Sequence, residues 1–143
     1  MIEVRLAEKE AERRACLRLR WTVFVEEQKV PPSLEVDEHD SAGAVHALAL
    51  LDGVPAGAGR FVFVEPGVAR IGRMAVATDS RGGGIGRALL RFLEDEARKR
   101  GAKLFTLNAQ VSARRFYEKA GYQAIGAIFD DADIPHVRMD RPA

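Results

Sequence analysis

The sequence predicts a mixed α/β fold in one domain spanning residues 1–143. Three observations lead there. Runs with the two-residue alternation of strands stand on both sides of runs with helical periodicity. Three consecutive strand-like runs are separated only by short turn signals, which makes an antiparallel meander. The last of them, a long amphipathic helix and a further apolar run form a right-handed crossover unit, so the fourth and fifth strands are parallel neighbours. At 143 residues the chain can bury one core and has no room for a second domain.

The elements follow in order. Ile2, Val4 and Leu6 alternate with Glu3 and Arg5 as a half-buried first strand. Ala11, Ala15, Leu19 and Val23 recur every fourth residue as a helical stripe that runs on into "RWTVFVEEQ", with a kink or a second short helix expected near Trp21. "VPPSLEVDEHDSAG" combines paired prolines, acids and glycine and reads as a loop. "AVHALALL", "AGAGRFVFV" and "ARIGRMAVA" are the meander, divided by Asp52-Gly53 and by Glu65-Pro66-Gly67. Ile85, Leu89, Leu93 and Ala97 share one helical face, while Glu94/Arg98 and Asp95/Lys99 are spaced as i,i+4 pairs outside, with Gly101 as the cap. "KLFTLNA" reads as a buried strand and "SARRFYEKAG" as a short helix closed by Gly121. "YQAIGAIF" and "PHVRMD" make a final strand pair.

Charge and composition narrow the function. Lys and Arg number 22 against 21 Asp and Glu, and neither sign gathers into a block, so neither nucleic acid nor an anionic membrane is an expected partner. Cys16 is the single cysteine, which excludes an internal disulfide and a cysteine-based metal cluster. The charged opening "MIEVRLAEKEAERR" is unlike a signal peptide, and no apolar run approaches the roughly 20 residues of a membrane span. A cytoplasmic protein is expected.

The stretch "RMAVATDSRGGGIGRALLRFLEDEARKRG" puts three glycines at the mouth of the longest helix. A helix start leaves its first N–H groups unpaired and carries about half a positive charge, which attracts phosphate. Gly82, Gly83, Gly84 and Gly86 remove Cβ atoms there, and Arg81 and Arg87 bracket them with positive charge, an arrangement that suits a pyrophosphate. A Walker loop is excluded because Arg87-Ala88 follows Gly86, where Lys and then Ser or Thr are required. The Rossmann spacing G-x-G-x-x-G fails at Arg87 and again at Leu89. A plain flexible turn between strand and helix is the other reading of the glycines.

"RGGGIG" fits the R/Q-x-x-G-x-G/A motif of the GCN5-related N-acetyltransferase (GNAT) superfamily as Arg81-x-x-Gly84-x-Gly86, and "RFYEKAGY" is similar to its second signature. "RWTVFVEEQ", "EVDEHD", "GRMAV", "NAQ" and "IPHVRM" resemble the ElaA-like subgroup, so that the resemblance covers nearly the whole chain. It implies the acyl-CoA N-acyltransferase fold, a three-layer α/β/α domain in which the fourth and fifth strands splay apart. Acetyl-CoA is the implied co-substrate, a small-molecule or peptide amine the implied acceptor, and a homodimer through the last strands an arrangement this fold often takes.

By motif position the pantetheine arm pairs with the backbone of Met74, Ala75 and Val76, in the manner of an added strand. The pyrophosphate falls on the amides of Gly82, Gly83, Gly84, Ile85, Gly86 and Arg87, beside Arg81. Amine acylation needs a neutral amine, a stabilised oxyanion and a proton for the thiolate. Backbone N–H groups near Met74 to Val76 suit the oxyanion, a contact worth about 3 kcal/mol when well placed. Tyr117 matches the tyrosine that faces the sulfur, and a phenol's reference pKa of about 10 keeps it protonated at neutral pH. Its other reading is an aromatic beside a core Phe116. Asn108, ending the fifth strand, either bonds the pantetheine arm or caps the next helix.

The general base is not marked. Where many relatives place a Glu on the fourth strand, this chain has Arg73, which leaves His136, Glu27, Asp37 and His39 as substitutes. An imidazole's reference pKa of about 6.5 suits the task best, although a strand histidine is also an ordinary structural residue. Adjacent Asp37, Glu38, His39 and Asp40 seldom converge on one ion, so no metal is expected. They read as a solvated loop or as an acidic edge for a cationic amine. Arg20 and Glu27 either shape the acceptor pocket or pair on a helix face, and Cys16 reads as a small core residue. A non-catalytic acyl-CoA-binding domain is the alternative function, motivated by the missing Glu. A weaker likeness of "RWTVF" and "EVDEHD" to acyl-homoserine lactone synthases lacks any sign of an S-adenosylmethionine pocket.

Overall fold

The first four strands of the computed structural model, which describes residues 1–31 and 43–143, lie side by side in chain order. They are β1 (Ile2–Leu6), β2 (Val45–Leu51), β3 (Val54–Glu65) and β4 (Val68–Val76), each antiparallel to the next. Asp52 and Gly53 join β2 to β3 with φ of 51° and 84°, the double left-handed geometry of a tight hairpin. β5 (Leu104–Gln110) then lies parallel to β4, and β6 (Gln123–Asp131) and β7 (Ile134–Pro142) complete the sheet in the order β1-β2-β3-β4-β5-β7-β6.

Helices cover both faces, because alternate strand residues point to opposite sides. Ala47 and Ala49 of β2 join the core under α2 (Ile85–Lys99), whereas Leu48 and Leu50 pack with Cys16, Ala15 and Leu19 of α1 (Glu10–Arg20). Burial pushes the Cys16 thiol up to about 11, so it stays protonated at neutral pH. After Arg20 the helix widens to a π-helical segment, Trp21–Glu27, closed by Gln28 N–H on the Val23 carbonyl at 3.0 Å. The kink expected near Trp21 is this change of pitch. No helix among the described residues is long and apolar enough to cross a membrane.

The buried side of α2 carries Ile85, Leu89, Leu90, Leu93, Glu94 and Ala97. Glu94 corrects the sequence reading, which put it outside beside Arg98. It is 3% exposed, accepts a hydrogen bond from the Tyr122 hydroxyl at 2.7 Å and pairs with Arg141 of β7 at 3.1 Å. The outer pairs are Arg98 with Asp95 at 2.9 Å, and Glu96 with Lys99 and Arg100 at 3.7 and 3.5 Å. Glu94 is turned inward because the start of β6 and the end of β7 cover that flank of α2, and its carboxylate finds partners there. Gly101 follows the helix as expected, its N–H on the Arg98 carbonyl at 3.1 Å and that of Ala102 on Ala97 at 3.0 Å.

α2 sits close on the sheet because β3 offers it glycines. A Cβ on Gly57 would lie 2.8 Å from Leu89 Cδ1 and 2.9 Å from Ile85 Cγ2. We expect Gly57→Val to lower stability by about 1–3 kcal/mol through overpacking. In urea unfolding the midpoint should fall while the slope is unchanged.

Candidate active site

β4 and β5 pair only at Val68↔Leu104, Ala69↔Phe105 and Arg70↔Thr106. Beyond Arg70 the two strands part, β4 continuing against β3 and β5 against β7. The cause is one extra residue in β4. Gly72 faces Arg60 and Ala75 faces Ala58, so that Arg73 and Met74 together stand opposite Gly59. Arg73 takes up the bulge at φ 50°, a backbone that a residue with a Cβ adopts only at some cost.

The parted strands open a cavity of about 440 Å³. Met74, Ala75 and Val76 border it from β4, and Asn108 and Gln110 from β5. Phe116 and Tyr117 of α3 (Arg114–Lys119) and Ile134 and His136 of β7 form another wall, and Val23, Phe24 and Gln28 of the π-helical segment and its end face them. These twelve residues come from five segments distant in sequence, so the site is a product of the fold.

Tyr117 is half-buried, with its hydroxyl 3.8 Å from the Met74 thioether sulfur and its ring edge-on to Phe116 at 5.0 Å. Loss of water around it pushes the phenol up to about 12, so it is a proton donor throughout the neutral range. Phe116 itself is 37% exposed and not a core residue. Its ring would stand 3.4 Å from a Cβ on Gly86, which shows how closely α3 crosses the first turn of α2.

His136 is 9% exposed and stacked on Phe129. Its Nδ1 is 2.6 Å from the Ile134 carbonyl oxygen. A carbonyl only accepts, so Nδ1 carries the hydrogen and Nε2 of the neutral ring is left with a lone pair. Gln110 Nε2 donates to Gln28 Oε1 at 2.8 Å, tying the end of β5 to the end of the π-helical segment across the gap. Both glutamines stand in quoted motifs, "FVEEQ" and "NAQ", yet nothing in either marks the pairing.

The glycine loop leads into α2 at one end of this cavity. Gly82 and Gly84 have φ of 84° and 88°, and no side chain caps Gly84, the residue preceding the helix. A Cβ built on either would meet nothing within 4 Å, so the loop backbone faces open space. Such a cradle of uncapped amides fits a pyrophosphate.

The expected site residues separate here. Gly86 and Arg81 border the main cavity, while the Ile85 side chain is in the core and Arg87 lines a neighbouring groove between α2 and α3. Arg81 does not point freely toward the loop. Its Nη1 and Nη2 donate to Glu27 at 2.7 and 2.8 Å, and its Nε to the Val76 carbonyl at 3.1 Å. Thr78 also donates to Glu27, at 3.2 Å. The Arg81 guanidinium holds Glu27 below the usual carboxylate range, which makes Glu27 a weak base. Glu27 is thus engaged by Arg81 and Thr78, and Arg20 is buried at the end of α1. Asp37, Glu38, His39 and Asp40 lie outside the described residues. Among the described residues no three His, Cys, Asp or Glu side chains are grouped to hold a metal.

An acetyltransferase (GNAT) domain family model matches residues 8–142. The uncharacterized N-acetyltransferase YjcF of Bacillus subtilis is 36% identical over 136 residues, 94% of this chain and 95% of its own. The crystal structure of Escherichia coli ElaA is 26% identical, with a TM-score of 0.88 over 99% of both chains. That of an acyl-CoA N-acyltransferase from Pseudomonas aeruginosa is 31% identical, with a TM-score of 0.84 over 99% of this chain and 98% of its own.

The chain has two tyrosines, Tyr117 and Tyr122, and both are raised, Tyr117 by loss of water and Tyr122 by burial and then by the Glu94 carboxylate. The folded state therefore binds more protons than the unfolded one above about pH 10, and stability falls as pH rises from there. An ultraviolet titration of the native protein should show no tyrosinate at pH 10, while the urea-unfolded chain titrates there.

Proposed function

The chain belongs to the GNAT acetyltransferase family and is an acyltransferase, and we propose that it moves the acetyl group of acetyl-CoA to a primary amine by direct transfer in a ternary complex. The observation that carries this reading is the gap beyond Arg70 and Thr106, with the uncapped start of α2 beside it. An extended pantetheine arm needs a strand edge to pair with, and its pyrophosphate needs amides at the end of that edge. The likeness to a Pseudomonas aeruginosa acyl-CoA N-acyltransferase supports the same class of donor.

In this reading Met74, Ala75 and Val76 hold the pantetheine arm by their backbones, with Asn108 across the gap. The amides of Gly82, Gly83, Gly84, Ile85, Gly86 and Arg87 hold the pyrophosphate beside Arg81. The neutral amine attacks the thioester carbonyl carbon, and backbone N–H groups of β4 stabilise the oxyanion that forms. As the C–S bond breaks, the Tyr117 hydroxyl gives its proton to the departing sulfur. The proton lost by the amine goes to His136 Nε2, whose lone pair the Nδ1 contact with Ile134 keeps available. Arg73 cannot take that role, because a guanidinium stays charged and has no acceptor.

Two outcomes follow. Gly84→Glu places a carboxylate in the cradle and strains a backbone at φ 88°, and should abolish CoA binding seen by calorimetry with the wild type. In an amine screen, Tyr117→Phe should lower kcat about a hundredfold or more with little change in CoA affinity. A variant of undiminished kcat would remove Tyr117 from the reaction.

A further inference from the structure

Two consecutive residues at the end of the π-helical segment bridge the cavity. Gln28 reaches β5 at Gln110, and Glu27 reaches the other bank at Arg81 and Thr78. The second bridge is unusual in its place. Arg81 immediately precedes the glycine loop and borders the cavity, yet all three of its nitrogens are committed elsewhere, two of them to a carboxylate 54 residues away. A carboxylate and a bound pyrophosphate so close together both require the same cation. Both side chains are 40% exposed, so the pair is open to exchange with a stronger anion.

We propose that Glu27 is a positioning residue that competes with the donor's pyrophosphate for Arg81. Donor binding transfers the guanidinium from carboxylate to phosphate, and this unlatches the wall that Val23 and Phe24 present to the acceptor side. This rests on the donor reading above. No covalent step is involved, only the exchange of one charge-assisted pair for another.

The test is calorimetric titration of the folded full chain with CoA, for wild type, Glu27→Gln, Arg81→Gln and the double variant. Glu27→Gln should bind CoA about threefold or more tightly than wild type, the scale of a half-exposed ion pair. Arg81→Gln should bind more weakly, and adding Glu27→Gln to it should change nothing, since the effect acts through Arg81. Trp21, the chain's single tryptophan, opens the π-helical segment. Its fluorescence should change when CoA binds the wild type, and the change should be reduced in Glu27→Gln. If Glu27→Gln does not fold, Glu27→Asp shortens the carboxylate, breaks the two-pronged contact and should tighten binding in the same direction. Equal or weaker CoA binding by the Glu27 variants overturns the proposal, as does equal tightening in the Arg81→Gln background. A wild type that binds no CoA overturns the donor reading itself, a separate result.

Discussion

A strand keeps two neighbours only while its register serves both, and β4 loses β5 beyond Arg70, ahead of the bulge at Arg73. One residue too many opposite Gly59 turns the backbone of β4 there, while the pairing with β3 resumes at Ala58 and Ala75. β5 meanwhile keeps β7 along its whole length on its other edge. What remains is an opening in an otherwise continuous sheet, with backbone N–H and C=O groups on its banks. Buried groups of that kind are costly unless paired. An added strand-like ligand is a direct way to pair them.

The surrounding elements are arranged around that opening. α2 starts at its end with uncapped amides, and the close seat of the helix on Gly57 sets where that start lies. α3 crosses the first turn of α2 at Gly86 and brings Tyr117 to the cavity. The Glu94, Tyr122 and Arg141 cluster ties α2 to the residue after α3's closing turn and to β7, the strand that bears His136. Each of these ties fixes an element relative to the opening; the crossing of α3 over Gly86 borders it, and Gly57 and the Glu94 cluster support it from outside its lining.

The sequence made the elements legible because each declares itself locally. Alternation marked the strands, a four-residue stripe marked α1 and α2, and the glycine triplet marked the helix mouth. The alternation of "ARIGRMAVA" does break at Gly72-Arg73, before four successive apolar residues, but an arginine at positive φ carries no signal of its own and the break alone does not announce a bulge. The turn of Ala132 and Asp133, at φ 52° and 61°, lacks the glycine or asparagine that announces such geometry. Glu94 read as a surface residue since its partners Tyr122 and Arg141 are 28 and 47 positions away. The same distance in sequence concealed the pairing of Gln28 with Gln110 and of Glu27 with Arg81. Periodicity reports which way a side chain faces, and long-range pairing reports on the fold, which one sequence does not encode position by position.

Hydrogen exchange of the β4 backbone, with and without saturating CoA, tests the central claim most directly. If the opening receives the pantetheine arm, the segment from Met74 to Val76 should become protected when CoA binds, together with the amides at the start of α2. Protection confined to the glycine loop, with exchange in β4 unchanged at saturation, would mean that the ligand is held by its phosphates alone and that the gap between β4 and β5 is not its seat.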